Sequence, residues 1–391
     1  QQQNPYMPPP PGKTYNDLRA VLEENVRVID ADLSEGSVPA DTDMLLLLAP
    51  ENLSEKAIFA VDQFLMQGGS VVVSTASFNA NLSNSRLAAA PYNSGLDDWL
   101  MSMGFTIKSE MVLDPQNASL PIPVPRRVGP VSVNEIVMMP YPHFPDIRRE
   151  GLNAEHPVTA GLNQLTFNWA SPVIVDADKN AEREVVQLVK SSANSWASDD
   201  VNVMPDYQMY PRNGFVAGVD RNEYTLAATS KGRFESYFKD KESPLLPENS
   251  EGEEEDSEKT SDVSSGDESI VYGSVIQSSS DSAHLVVIGS NNFAEDMVLS
   301  IASQGMGSEY AAPVEFLQNL VDWSLDDSGL LSIRSRAQLA RTLDPMKDSQ
   351  RRSWEYGNYA AALAGLIIVW MIRMILMRRK RAQYEQILAE I

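Results

Sequence analysis

Residues 359–377 form a nineteen-residue stretch that is apolar except for Arg373 and is followed at once by Arg378, Arg379, Lys380 and Arg381. No other feature constrains the fold more. At ~1.5 Å per residue such a helix spans roughly 28 Å, close to the hydrocarbon thickness of a bilayer. The stretch therefore reads as one C-terminal membrane anchor, which includes Tyr359 and Trp370 and has Leu366 and Ile368 near its middle. A buried helix of a large core is the alternative, but such helices rarely end in four consecutive basic residues. The basic cluster outweighs Arg351 and Arg352, which Glu355 partly offsets, so the positive-inside rule places the C-terminus in the cytoplasm and everything before Trp354 outside it. Arg373 lies about a turn from the basic flank. Its side chain either snorkels to the headgroups or meets a partner's membrane helix.

With 31 Lys and Arg against 54 Asp and Glu, the chain carries a formal charge of -23. Nucleic acid is disfavoured as a partner. Much of the acidity sits in a Ser-rich tract, including Glu253, Glu254, Glu255 and Asp256, that cannot bury enough apolar surface to offset its entropy. There is no cysteine. That excludes disulfides, thiolate nucleophiles and Cys-ligated metals, so the core alone must hold the fold. The chain opens on Gln1 without a signal peptide and reads as part of a longer product.

The organisation expected is a Pro-rich loop over 1–12 and a first α/β segment over 13–120. A mixed β-rich region follows over 121–238, then an acidic linker over 239–269. The α/β domain returns over 270–349, and anchor and tail occupy 350–391. Within the first segment Tyr15, Leu18, Val21 and Leu22 recur at helical spacing, and residues 26–30 follow as a short strand. Residues 44–49 are a continuous apolar run stopped by Pro50, as in a buried parallel strand. Ser54 is placed to cap a helix with Ile58, Val61, Phe64 and Leu65 on its buried face, closed by Gly68 and Gly69. Val71, Val72 and Val73 then complete a β-α-β unit, which calls for a right-handed crossover in a parallel sheet. Pro121, Pro123, Pro125 and Pro130 suggest a connecting arm. Residues 284–289 form a further buried-looking strand that should return to the first sheet.

These residues resemble a known family. Thr42, Asp43 and the run from Met44 to Pro50, then Leu53-Ser54-Glu55, then Val61 to Ser70, are similar to the GldG-like auxiliary component of ABC transport systems associated with gliding motility. Further motifs follow in order: His156-Pro157-Val158-Thr159-Ala160-Gly161-Leu162, Gly232-Arg233-Phe234-Glu235-Ser236-Tyr237-Phe238, Val286 to Phe293, Asn319-Leu320-Val321-Asp322-Trp323, and Leu331-Ser332-Ile333-Arg334. The resemblance implies a flavodoxin-like or glutamine-amidotransferase-like α/β domain with a parallel sheet and a mixed β-rich insertion. It also implies one C-terminal transmembrane helix in a bacterial inner membrane, beside an ABC permease and a separate ATP-binding subunit. Membrane lipid is a partner, and an envelope polymer or protein is a possible ligand. No cofactor is implied.

Catalytic motifs are missing. No P-loop is present, so any ATPase is another subunit. Ser74 and Ser77 follow a strand without the Gly-x-Ser-x-Gly elbow. His143, His156 and His284 lack the spacing of metal ligands, and the acidic tract lacks the ordered ligand alternation of a calcium loop. In an open parallel sheet, ligands favour the crevice at the carboxyl ends of the strands. That rule selects Pro50, Glu51, Ser74, Thr75, Ser77, Phe78, Asp114, Ser290, Asn291 and Asn292 as a binding surface, with turn-forming residues as the plainer reading. The expected function is a noncatalytic extracytoplasmic subunit of an ABC transporter. The alternative is a membrane-tethered amidohydrolase-like enzyme acting on envelope material, and a freely exchanging solute-binding protein is a third possibility.

Overall fold

The computed structural model describes residues 12–83, 86–128, 131–246, 275–306, 310–325 and 348–389. Most of the acidic tract and of the Pro-rich opening lies outside them. The chain divides into two units, 1–339 and 340–391.

In the first unit, helix α1 (Asn16–Glu23) precedes strand β1 (Met44–Leu48). Helix α2 (Glu55–Met66) then leads to β2 (Ser70–Ser74), which pairs parallel with β1. The predicted cap is present, because Ser54 Oγ accepts from the Ala57 amide at 3.3 Å. Gly68 ends the helix at φ +91°, a conformation a side chain would strain. Strand β14 (His284–Ile288) returns across the whole sequence to pair parallel with β2, as its buried pattern anticipates. The sheet is mixed rather than wholly parallel. Two strands of the middle region, β11 (Glu184–Lys190) and β13 (Thr225–Lys231), extend it antiparallel in the order β1-β2-β14-β13-β11.

Because strand side chains alternate, the sheet divides its apolar residues between two cores. Val72, Leu226, Val286 and Ile288 pack with α1 and with helix α6 (Ala312–Leu325) on one face. Val71, Val73, Leu285 and Val287 pack with α2 and helix α3 (Asp97–Ser102) on the other. The result is a three-layer arrangement of helix, sheet and helix.

Three elements depart from the sequence expectation. Residues 26–30 have strand-like composition but no strand pairing. A hairpin of β3 (Phe78–Ser83) and β4 (Arg86–Pro91) follows β2, in a stretch where the sequence suggested no element. The proline arm is a long hairpin of β7 (Asn117–Val128) and β8 (Val131–Arg148), and β8 also pairs with β9 (Gln164–Thr166). β7 lies at the sheet edge, and Pro121, Pro123 and Pro125 fall at alternate positions. Their missing N–H groups can all face away from β8, which is how an edge strand tolerates proline.

The remaining described elements are short strands β5 (Phe105–Ile107), β6 (Met111–Leu113), β10 (Val173–Val175) and β12 (Trp196–Ser198), with helices α4 (Pro157–Ala160) and α5 (Asp296–Met306). A third core gathers Tyr141, Phe144 and Trp169, and beside it His143 is buried against Tyr141 and Phe215, its Nδ1 without a hydrogen-bond partner among the described residues. Burial pulls its pKa down to about 3. The unfolded state therefore takes up a proton near the ordinary value of 6.5 that the folded state refuses, so stability falls as pH drops from 6.5 towards 3. At pH 5 the expected loss from His143 is about 2 kcal/mol. Urea titrations at pH 7 and 5 should show it, and His143→Phe should shrink the difference by about that amount, leaving the part due to His156 and His284. An unchanged pH response in the variant would refute this origin.

The second unit contains helix α7 (Asp348–Ala389). Its segment Ser353–Ile375 is long and apolar enough to cross a membrane and has no part of its apolar window buried. Leu366 is 70% exposed, and Ile368 and Trp370 are exposed with it. Tyr359 Oη donates to Glu355 one turn earlier at 3.2 Å. Arg373 is exposed, and Arg378, Arg379, Lys380 and Arg381 continue the helix.

Candidate functional site at the carboxyl ends of the strands

The β-α-β connection puts the ends of β1, β2 and β14 side by side, and backbone bonds extend the pairing past the strands. Ala49 N–H donates to Ser74 O at 2.9 Å, and Thr75 N–H donates to Ile288 O at 2.9 Å. Ser74 Oγ donates to Ser290 O at 2.7 Å. Asn291 is 1% exposed and acts as a staple. Its Oδ1 accepts from Ala76 N–H at 3.0 Å, while its Nδ2 donates to the carbonyls of Ala76 and Phe78, both at 2.9 Å. Thr75 Oγ1 lies 3.4 Å from the same Oδ1. Ser290 Oγ donates to Asn168 O at 2.7 Å, and Ser77 Oγ donates to Lys108 O at 3.0 Å.

Most of the sequence-selected residues are thus brought together, yet they bond mainly to one another and to the backbone. Glu51 remains exposed at the rim and Pro50 is buried behind it. Asp114 belongs to a separate node. Its carboxylate accepts from the Gln116 and Ser192 amides, each at 2.8 Å, and from the Ser192 and Ser195 hydroxyls at 2.7 and 3.0 Å. Removing the staple tests this reading. Asn291→Ala should cost about 2 kcal/mol, because it leaves the buried Ala76 amide without its acceptor. A denaturation midpoint equal to that of the parent protein would sink it.

Sequence reasoning missed the charged half of the site. Lys13 Nζ donates to Asn291 O at 2.7 Å, next to the buried carboxyl of Glu295. Burial pulls the lysine down to about 8 against the opposing pull of Glu295 and Glu51. Burial raises Glu295, while Lys13 and the 2.7 Å bond from Asn292 Nδ2 act in the other direction. Tyr92 donates to Ala49 O at 2.6 Å and is pushed up to about 12 by burial and then by Glu51. Asp296 accepts from the Asn16 and Asp17 amides at 3.0 and 3.2 Å, fixing the start of α1 beside the strand ends. Asn292 Oδ1 is buried without a hydrogen-bond partner among the described residues.

Backbone strain gathers here too, since Ala49, Asn52 and Ala294 have φ of 47°, 48° and 59°. Lys13 and Glu295 stand far apart in sequence and outside any motif. Only the return of β14 brings them together. Among the described residues no group of three His, Asp or Glu side chains is arranged to hold a metal ion. Neither Ser74 nor Ser77 is hydrogen-bonded there to a histidine or carboxylate.

Fold and C-terminal helix together define the class, a mixed α/β domain in a chain that has, among the described residues, one helix long and apolar enough to cross a membrane. The chain belongs to the auxiliary-component family described as an ABC-type uncharacterized transport system, whose profile matches residues 4–320. A solved structure similar to it is the mmIFT52 N-terminal domain, with 10% identity and a TM-score of 0.40 over 81% of this chain and 93% of that one. No curated protein matches the chain significantly.

Proposed function

We propose that the chain is a noncatalytic, membrane-anchored extracytoplasmic subunit of a bacterial ABC transporter, of the GldG-like kind, that couples a permease and a separate ATP-binding subunit to a partner protein or envelope polymer. The observation that carries this reading is the exposed apolar helix α7 in a chain of the auxiliary family. On this view α7 spans the inner membrane once, with the basic residues 378–381 on the cytoplasmic side. A flavodoxin-like or amidotransferase-like ancestry for the domain is supported by the parallel trio β1, β2 and β14 and by the α2 crossover.

Ligand contact is assigned to the strand-end rim, where Glu51, Lys13 and Tyr92 stand over the Asn291 staple. The amidohydrolase-like alternative requires an activated nucleophile, whereas Ser74 and Ser77 are both engaged by backbone carbonyls. Purification of the intact protein in mild detergent, with identification of copurifying chains and an ATPase assay, tests the proposal. A permease and ATP-binding subunit are expected. Reproducible recovery of the protein alone, without ATPase activity, would overturn it.

A further inference from the structure

A lysine side chain already occupies the strand-end rim. Lys13 Nζ donates to the main-chain carbonyl of Asn291 at 2.7 Å and stands 6.0 Å from the centroid of the Tyr92 ring, within reach of a cation–π attraction. The carboxylates of Glu295 and Glu51 both favour its charged form, Glu295 more strongly. Two of the receiving groups are positioned without the lysine. Asn291 is fixed by its side-chain bonds to Ala76 and Phe78, and Asn292 holds Glu295 while its own amide donates to Ser290 Oγ at 3.2 Å.

An ammonium carries three N–H donors, and among the described residues Lys13 places one of them in a hydrogen bond. Asn292 is 1% exposed, and its Oδ1, next to the group that bonds Glu295, is an acceptor without a hydrogen-bond partner among the described residues. The rim therefore holds more acceptors for a cation than the tethered lysine uses. The tether is the side chain alone. Asp296 N–H donates to Thr14 O at 3.0 Å, and the Asp296 carboxylate accepts from the Asn16 and Asp17 amides, so the backbone after Lys13 is tied down independently. Swinging the four-carbon stem outward clears the place and leaves α1 pinned.

We propose, resting on the rim as the ligand surface named above, that this place receives a lysine side chain of a partner protein, with Lys13 as an internal, displaceable stand-in. A slender stem with a compact ammonium head is what the rim already accommodates. A metal ion matches it less well, because among the described residues no three His, Asp or Glu side chains are arranged to hold one. Tethering gives Lys13 an effective concentration on the order of millimolar, so a partner's lysine displaces it only when neighbouring contacts add to the same interface.

Removing the stand-in opens the place to a free probe. Thermal unfolding of the intact protein in detergent, with about 100 mM Nα-acetyl-lysine amide against the same concentration of sodium chloride, is the measurement. The probe should raise the melting temperature of Lys13→Ala by about 3 °C and leave the parent within about 1 °C of its own value. Lys13→Ser should respond as Lys13→Ala does, and Glu295→Gln added to either should abolish the rise. An equal rise in the parent and the variants, or no rise in Lys13→Ala and Lys13→Ser, would overturn the proposal. A rise with glucosamine or calcium chloride and none with the lysine probe would overturn it in favour of an amino sugar or a metal ion. Neither permease nor ATP-binding subunit enters this assay, so its failure is distinguishable from a failure to copurify them.

Discussion

Replacing Asp62 with alanine should lower the melting temperature of the folded domain by on the order of 10 °C, the largest loss expected from a single substitution in the core between α2 and α3. Asp62 is fully buried. Its carboxylate accepts from Trp99 Nε1 at 3.1 Å, Ser236 Oγ at 2.6 Å, the Tyr237 amide at 3.0 Å and Gln63 Nε2 at 3.0 Å. These donors belong to α2, α3 and the turn after β13. One side chain therefore ties three segments together. Truncation strands the donors in a dry site, and a cost of about 3–5 kcal/mol follows from unsatisfied buried partners of a charged group. Asp62→Asn keeps the volume but turns one acceptor into a donor, so an intermediate loss is expected. Thermal unfolding of the three proteins in one buffer is the measurement. A melting temperature within 2 °C or so of the parent for the alanine variant would refute the role assigned to this carboxylate.

The double substitution Leu366→Asp and Ile368→Asp should move the protein from the membrane fraction to the soluble or degraded fraction. Both side chains are exposed near the middle of the apolar part of α7, where no protein surface compensates a charge. Each carboxylate at a bilayer centre costs about 2.5–3.5 kcal/mol on insertion scales, enough together to reverse insertion of a single helix. Carbonate extraction followed by immunoblotting gives the result. Undiminished membrane retention without partner subunits would exclude α7 as the anchor.

The parts of the fold legible in the sequence are those whose signals are local and consistent. The run from Met44 to Leu48, the Ser54 cap, Gly68 and the three valines of β2 each identify an element, and their spacing identifies the crossover. The hydrophobic density of residues 284–288 correctly assigned β14 to the same sheet. Elements that depend on distant partners were not legible. Residues 26–30 are as strand-like as β2, but no described neighbour pairs with them. The Phe78–Ser83 and Arg86–Pro91 hairpin carries weak alternation, and the prolines of β7 indicate a breaker until their shared edge is seen. For the site, the strand-end rule located the polar residues after β1, β2 and β14. It could not reveal that Asn291 is consumed as a staple, nor that Lys13 is drawn in from before α1.

Trp323 lies between two imidazoles, 4.8 Å from His156 and 5.0 Å from His284, with both histidines pulled down to about 4 by burial. An indole in that position is an optical probe already installed where α6 meets both α4 and the sheet. Its emission changes when either neighbour becomes a quenching imidazolium or when the helix lifts away. In a variant that keeps Trp323 alone of the six tryptophans, acidification would therefore carry its own fluorescent record of how this corner of the molecule comes apart.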